Sequence, residues 1–278
     1  MSYKNYIPRV WNTGFEHELE KAFVFGEDCN KEYEGKVSQL GDTIKILGVG
    51  KPTINTQEGG SIILNDPEVV EDTAVSMPIN HISYYNYMVD DIDKRQGQNG
   101  IMEALTKEAS RGVADEMDKY IASLARDKMA VRFTPTATTL TKENILTTID
   151  AVLAKLYANN VKTTDFISLT CSPMFYMTLK QAYTALDTDN SKMLENGKVG
   201  KYGNVTIRMS NNIQQDTNGN DLVMVRTNKA IAFAKPMIHS EPYRPEKRFS
   251  DAVKGFVLYD AKIVRPKEMI VLNCKLSA

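Results

Sequence analysis

Several short stretches of the sequence carry residue types that bind phosphate, calcium or zinc in other proteins. Gly48-Val49-Gly50-Lys51 has the glycines and the lysine of a phosphate-binding loop, in which backbone N–H groups and the ammonium hold phosphate oxygens. The glycines lack the G-x-x-x-x-G-K-[ST] spacing, and Pro52 follows the lysine where a metal-binding hydroxyl is required. The sequence therefore predicts no nucleotide site at this position.

A second stretch, Asp187-Thr188-Asp189, begins as calcium-binding loops do. Lys192 then stands where such a loop requires glycine, and Lys198 stands where it requires a bidentate glutamate. Zinc is excluded in its helical HExxH form because the histidines are too far apart; they are His17, His81 and His239. We therefore expect no metal site.

The three cysteines are also far apart, and no two of them form a CxxC pair; they are Cys29, Cys171 and Cys274. This spacing predicts free thiols in a reducing compartment. Ser172 and Cys171 are nucleophiles by type, but no G-x-S-x-G surrounds Ser172 and Cys171 falls in a predicted buried strand. A nucleophile with remote histidine and aspartate partners stays open here. Because nothing converges in the sequence, we predict no catalytic, metal-binding or cofactor-binding residues and no enzyme activity.

The composition limits the possible partners. The chain has 278 residues and a formal net charge of −1, with charges of both signs mixed along it. A Lys/Arg patch that grips nucleic acid is therefore not indicated. No apolar run approaches membrane-spanning length, and the first residues lack the apolar segment of a signal peptide. We expect a soluble intracellular protein that binds no membrane.

The longest regular pattern predicts a helix from Gln98 to Arg126, with Asn99 as its N-cap. Its apolar residues recur at spacings of three and four, which predicts one buried stripe; they are Ile101, Leu105, Ala109, Val113, Met117, Ile121 and Leu124. A helix of this length spans roughly 40 Å, so we interpret it as a spine. Gly112 in its middle costs about 1 kcal/mol relative to alanine, and we expect another backbone to pack closely there.

The residues before the spine helix predict little core of their own. Residues 1–34 contain large aromatics without regular spacing, which would lie either on their own domain or on a neighbouring subunit. Residues 35–90 predict strands around a hairpin tip at Gln57–Gly60, including a strand from Thr43 to Leu47 and returning strands at Val69–Met77 and Ile79–Met88. We expect a two-stranded projection that is stable only when packed on something else.

The residues after the spine helix predict a compact α/β domain. Thr141 is a candidate N-cap of a first helix, with Leu140 and Ile145 placed as a hydrophobic staple. Ser172-Pro173 opens a second helix through about Ala185. The predicted strands are Phe166–Cys171, Val205–Met209 and Leu222–Val225. Further strands follow at Ala230–Ala234, Pro236–His239, Gly255–Pro266 and Met269–Leu276. Pro242 and Pro245 are expected to prevent regular pairing between these last blocks.

Three stretches resemble the major capsid (coat) proteins of tailed phages with the Hong Kong 97-type fold. Lys21–Ile46 is similar to that family's arm and first loop strand, Tyr84–Gln96 to the exit of the loop into the spine, and Lys247–Leu272 to the closing strands. The resemblance covers most of the chain in order. Many relatives carry glycine where this chain has Asp260, so a left-handed turn is expected there.

The resemblance implies an α+β Hong Kong 97-like capsid fold. It consists of an N-terminal arm (1–34), an extended β-loop (35–90), a peripheral domain with the spine helix (91–137 and 229–278) and an α/β axial domain (138–228). The candidate inter-subunit contacts are Tyr6, Trp11, Glu58, Gly59 and Gly60.

The resemblance also implies a function. The chain would assemble with itself, as hexamers and pentamers, into the icosahedral capsid of a virion in the host cytoplasm. Its partners would be a portal, a separate scaffolding protein, and double-stranded DNA that is enclosed without sequence-specific binding. No cofactor is implied. Two alternatives stay open: an encapsulin-like compartment that encloses enzymes, and an α/β enzyme formed by residues 138–228.

Overall fold

The computed structural model describes residues 19, 23–33, 43–49, 53–54, 56, 59, 72–90, 101–184, 200–247 and 249–276. Several sequence predictions lie outside these residues: the N-cap Asn99, the calcium-like stretch, and the candidate contacts Tyr6, Trp11, Glu58 and Gly60.

Three helices and twelve strands make up the described fold. The helices are α1 (Ile101–Ser123), α2 (Ile145–Ala158) and α3 (Pro173–Thr184). The strands are β1 (Thr43–Val49), β2 (Asp72–Pro78), β3 (His81–Asp90), β4 (Val131–Arg132), β5 (Thr138–Leu140), β6 (Ile167–Cys171), β7 (Lys201–Tyr202), β8 (Val205–Met209), β9 (Asp221–Thr227), β10 (Ile231–Tyr243), β11 (Ser250–Ile263) and β12 (Met269–Leu276). Short 3-10 turns lie at Gly26–Asp28, Leu124–Arg126 and Pro266–Glu268.

A seven-stranded mixed sheet separates two apolar cores. Its strand order is β4-β12-β9-β6-β8-β7, and β5 also pairs with β12. Alternate residues of β12 enter opposite cores, since Val271 belongs to one and Ile270 and Leu272 belong to the other. A strand that is covered on both faces needs an unbroken apolar run, which is what the residues from Met269 to Leu272 provide.

We call the two sides core one and core two. Core one packs α1 and the segment around Phe25 against β10, β11 and one face of the sheet. Core two packs α2 and α3 against the other face. The expected boundary between axial and peripheral domains at residue 229 stays a prediction. One sheet crosses this boundary, because β9 precedes residue 229, β12 follows it, and the two strands pair.

Helix α1 buries the predicted stripe along most of its length. Val113, Met117 and Ile121 are buried in core one, whereas Leu105 is only half-buried. The prediction for Gly112 was wrong: the residue is exposed, and a Cβ atom added there would meet no atom within 4 Å. No neighbouring backbone within the described chain therefore requires a glycine at this position.

A three-stranded antiparallel sheet, in the order β10-β11-β3, covers core one. Strand β3 pairs with β11 from His81↔Tyr259 to Asp90↔Ser250, so it belongs to this sheet and not to a two-stranded projection. Strand β10 was predicted as separate blocks, yet it continues through Pro242, which pairs with Val253. A proline is tolerated because β10 lies at the edge, where its missing N–H interrupts no further ladder.

Strands β1 and β2 form an antiparallel hairpin whose base is buried. Ile44, Ile46, Met77 and Ile79 pack on Ala232, Ala234 and Leu258, which alternate along β10 and β11 with residues of core one. The hairpin base therefore lies on the opposite face of the three-stranded sheet. This corrects the expectation that the loop buries no core within its own chain, and we call this cluster core three.

The two helices of core two begin near the predicted positions. Ser172 caps α3 as predicted, because its hydroxyl accepts the N–H of Phe175 at 3.3 Å. The N-cap of α2 is Asn144 and not Thr141. The Asn144 side chain accepts the N–H of Thr141 at 2.8 Å and so folds the preceding turn.

Candidate assembly surfaces and the contacts that fix them

A buried carboxylate on α1 fixes the segment that precedes β1. The Asp118 carboxylate accepts the N–H groups of Val24, Phe25 and Gly26 at 2.7, 3.1 and 3.0 Å. Burial raises the pKa of Asp118, and these three donors oppose that rise because they stabilise the charged form. The segment is therefore held through its backbone.

Arg226 of β9 binds the same segment from the other side. Its guanidinium donates to the carbonyl oxygens of Asp28 at 3.0 Å and Phe25 at 2.7 Å, and to the sulfur of Cys29 at 3.2 Å. Burial raises the pKa of the Cys29 thiol, and Arg226 opposes that rise. Three backbone or sulfur acceptors thus surround a fully buried cation.

Arg208 of β8 completes this cluster. Its side chain lies 2.7 Å from the carboxylate of Glu27, and 2.8 Å from that of Asp28 without the alignment of a hydrogen bond. Asn30 then joins β10 by a parallel bridge to Ala232. Of the arm predicted at 1–34, residues 23–30 therefore pack on their own chain, which was one of the two expectations.

Asp260 connects the hairpin, the three-stranded sheet and α1. Its carboxylate accepts from Tyr120 at 2.9 Å, from His81 Nδ1 at 3.0 Å and from the Asn80 N–H at 3.3 Å. The expected left-handed turn is wrong, because Asp260 lies inside β11 and the one non-glycine residue with positive φ in the described chain is Asn160. The role of Asp260 here is to accept hydrogen bonds through its carboxylate, and its backbone has the extended conformation of a strand.

The outer face of the three-stranded sheet is largely exposed beyond core three. Tyr84 is 82% exposed, and Ile82 and Met88 are exposed on the same face of β3. Beside them, Lys254 pairs with Glu241 at 2.7 Å, and the hydroxyl of Tyr243 donates to Asn86 at 3.0 Å. We call this surface the outer sheet face. The exposed Tyr84 and Met88 are of residue types that are enriched at protein interfaces.

Of the five predicted inter-subunit contacts, the structure describes only Gly59. It is exposed at φ 69°, and a Cβ atom there would meet nothing within 4 Å. This agrees with the predicted turn, and its contact with a neighbour stays a prediction. Sequence reasoning missed Arg226 and Asp118; each is a charged residue within an apolar pattern, which is the signal that could have marked them.

The candidate nucleophiles have structural roles. The Cys171 thiol contacts the carbonyl of Arg208 at 3.5 Å, and burial raises its pKa to about 12. Ser172 caps α3, while His81 binds Asp260 in the other sheet. Within the described ranges, no three potential ligands gather around a metal site, and no helix combines the length and apolar character that crossing a bilayer requires.

The fold is similar to those of several solved structures. No family model and no curated protein matches the sequence. A structure from Mycobacterium phage Che8 is similar at 24% identity, with a TM-score of 0.73 and coverage of 90% of each chain. The capsid of cyanophage P-SCSP1u matches at 14% identity and a TM-score of 0.71, over 92% of this chain and 89% of that one. A virus-like particle from Pyrococcus furiosus matches at 12% identity and a TM-score of 0.60, over 95% and 98%.

These likenesses show that the chain has a mixed helix-and-sheet fold that phage capsids share. The sequence resemblance to phage capsid proteins is therefore confirmed for the fold. The matches extend over about nine-tenths of the chain, so they include both cores and the three-stranded sheet.

Proposed function

We propose that this chain is the major capsid protein of a tailed double-stranded DNA phage, with a Hong Kong 97-type fold. The observation that carries the proposal is the structural match to phage capsids over about 90% of the chain. A match of this extent leaves little of the chain to form a separate catalytic domain. The chain would then act as a building block that binds copies of itself.

The outer sheet face supports this proposal. It exposes Tyr84 and Ile82 next to paired charges, although core three covers the adjacent end of the same sheet. The hairpin from a neighbouring subunit is the proposed occupant, because its base is fixed on its own chain while residues 50–71 are long enough to reach a neighbour. Gly59 and the flanking Glu58 and Gly60 would then contact that neighbour.

The near-neutral charge suits a wall that encloses DNA without gripping it. Hexamers and pentamers of the chain would form the shell, together with a portal and a scaffolding protein. Assembly would take place in the host cytoplasm, and the mature protein would lie in the virion.

The test is assembly of the purified chain, alone and with a scaffolding protein encoded beside it. Light scattering should report particles of megadalton mass, and negative-stain microscopy should show closed shells. A protein that stays monomeric under every assembly condition, scaffold included, would rule the proposal out.

An encapsulin-like compartment is the second candidate, because the chain is similar to a virus-like particle from Pyrococcus furiosus as well as to phage capsids. The contents of particles purified from the native host separate the two functions. Nuclease-resistant double-stranded DNA indicates the phage capsid, whereas a single enclosed enzyme without DNA indicates the compartment.

A further inference from the structure

Four parts of the chain donate hydrogen bonds to the Asp260 carboxylate. Oδ1 accepts from the Tyr120 hydroxyl of α1 at 2.9 Å and from the N–H of Ala261 in β11 at 2.8 Å. Oδ2 accepts from His81 Nδ1 of β3 at 3.0 Å and from the Asn80 N–H at 3.3 Å. An ionised carboxylate only accepts, so His81 Nδ1 is the donor wherever the carboxylate is ionised. The residue is 6% exposed, so water does not replace these contacts easily.

The position of Asn80 gives this arrangement its importance. The ladder between β3 and β11 ends at His81↔Tyr259, so Asn80 is the first residue beyond it. Asn80 and Ile79 alone separate the end of β2 from the start of β3. The Asp260 carboxylate binds the Asn80 N–H just beyond the end of this ladder. Any contact that fixes Asn80 also fixes the direction in which the hairpin leaves the sheet.

The Tyr120 contact connects that direction to the spine helix. Burial raises the pKa of Tyr120, and the adjacent Asp260 carboxylate raises it further, so its hydroxyl stays a proton donor. The Tyr120 ring also lies against the His81 ring, with their centroids 4.1 Å apart. The helix and the hairpin base therefore meet at one carboxylate.

We propose that Asp260 is a positioning residue that sets the direction of the β1–β2 hairpin relative to α1. Core three attaches the hairpin to the sheet. It does not fix the direction of the hairpin, because apolar contacts are not directional. Hydrogen bonds are directional, and they select one orientation among those that core three allows. If the proposed function holds, on which this second step rests, Asp260 also sets the geometry with which one subunit reaches the next.

Hydrogen exchange of the unassembled chain tests the positioning step alone. In Asp260→Asn, the side-chain amide keeps one acceptor oxygen. Its NH₂ group then faces N–H or O–H donors, so at least one hydrogen bond that the charged carboxylate accepted is lost. We expect exchange at the amides of β1 and β2 to be about tenfold faster, the ratio that matches such a loss. Exchange at Ala109–Val113 in α1, about two turns before Tyr120, should not change. The matched control is Asp251→Asn, which lies on the same strand away from the hairpin.

A double-mutant cycle separates positioning from a general loss of stability. Tyr120→Phe alone should accelerate exchange in the hairpin, and its effect should be smaller in the Asp260→Asn background, where the acceptor of the hydroxyl is neutral. Tyr183→Phe is the control for loss of a tyrosine hydroxyl elsewhere. If Asp260→Asn does not fold, Tyr120→Phe and His81→Phe test the same inference, since each removes one donor to Asp260 and keeps an aromatic ring.

Assembly of the same variants tests the second step. Wild-type protein and Asp251→Asn should form uniform shells, whereas Asp260→Asn should form open sheets or shells of mixed size. Unchanged hairpin exchange in Asp260→Asn overturns the inference, and so does equally faster exchange in the hairpin and α1. Normal uniform shells from a variant with a loosened hairpin overturn the second step. If wild-type protein itself builds no shells, the proposed function fails while the exchange result stands.

Discussion

Arg226 is the largest side chain that the described fold buries completely. Replacement by methionine keeps much of its length but removes the donors to Phe25 and Asp28, whose carbonyl groups stay buried. We expect Arg226→Met to lower the free energy of unfolding by about 3–5 kcal/mol. Urea denaturation of the unassembled protein measures this loss.

The control for Arg226 is Arg265→Met. Arg265 is 54% exposed and pairs with Glu268 on the surface, so its loss should cost less than about 1 kcal/mol. Equal losses for the two variants would mean that the buried arginine does not hold the segment before β1.

Two glycines with opposite surroundings give a second prediction at this scale. Gly112→Ala should stabilise the unassembled protein by about 0.5–1 kcal/mol, because alanine restricts the unfolded chain and meets no atom in α1. Gly255→Ala should destabilise it, because the added Cβ would lie 2.5 Å from the carbonyl oxygen of His239 and also overlap Tyr85. Thermal melting compares the two variants, and a lower melting temperature for Gly112→Ala would contradict the exposed position.

These residues also show where sequence reasoning ends. The apolar period located α1 and its buried stripe, since that period repeats within one helix. Asp118 and Arg226 stand in apolar patterns that give no reason for a charge. Their partners are backbone groups about ninety to two hundred residues away in sequence. Contacts of this kind follow from the tertiary fold and not from local spacing.

At the scale of elements, the two faces of α1 should differ sharply. Met117→Ala should cost about 2–5 kcal/mol, because Met117 is buried in core one. Lys107→Ala on the exposed face should cost less than about 0.5 kcal/mol. The half-buried Leu105 should give an intermediate loss. Chemical denaturation of unassembled protein orders the three variants, and similar losses for Met117→Ala and Lys107→Ala would contradict the assigned face.

The hairpin should be separable into a base that folds and an outer part that assembles. A short Gly/Ser linker in place of residues 53–70 leaves β1, β2 and core three intact. We expect a soluble protein with cooperative melting by circular dichroism that forms no shells by negative-stain microscopy. A length-matched Gly/Ser replacement distinguishes loss of reach from loss of sequence. Normal shells from both replacements would show that this part is not the inter-subunit arm.

Prolines limited the prediction of the strands for a physical reason. Pro242 and Pro245 indicated breaks, because a proline inside a sheet interrupts the ladder. The structure places Pro242 on an edge strand and Pro236 at a register shift between Ala234 and Met237. Strand order is a property of the whole fold, so local sequence does not reveal which strand lies at an edge.

At the scale of the whole molecule, β12 couples the two larger cores. The three cysteines report on both, since Cys29 is buried in core one while Cys171 and Cys274 are buried in core two. Burial raises the pKa of all three thiols, so they should react only after unfolding. In pulse labelling across a urea series, we expect one shared midpoint, as in a two-state transition. Separate midpoints for Cys29 and the other two would mean that the cores unfold independently.

The place of β12 in the chain has a consequence for synthesis. It follows every other strand in sequence, yet it lies inside the seven-stranded sheet, between β9 and the pair β4 and β5. The ribosome adds the residues of β12 after those of all the other described strands. Neither core one nor core two can close until these eight residues have been added. A polypeptide released before β12 therefore exposes two open apolar faces to chaperones and proteases.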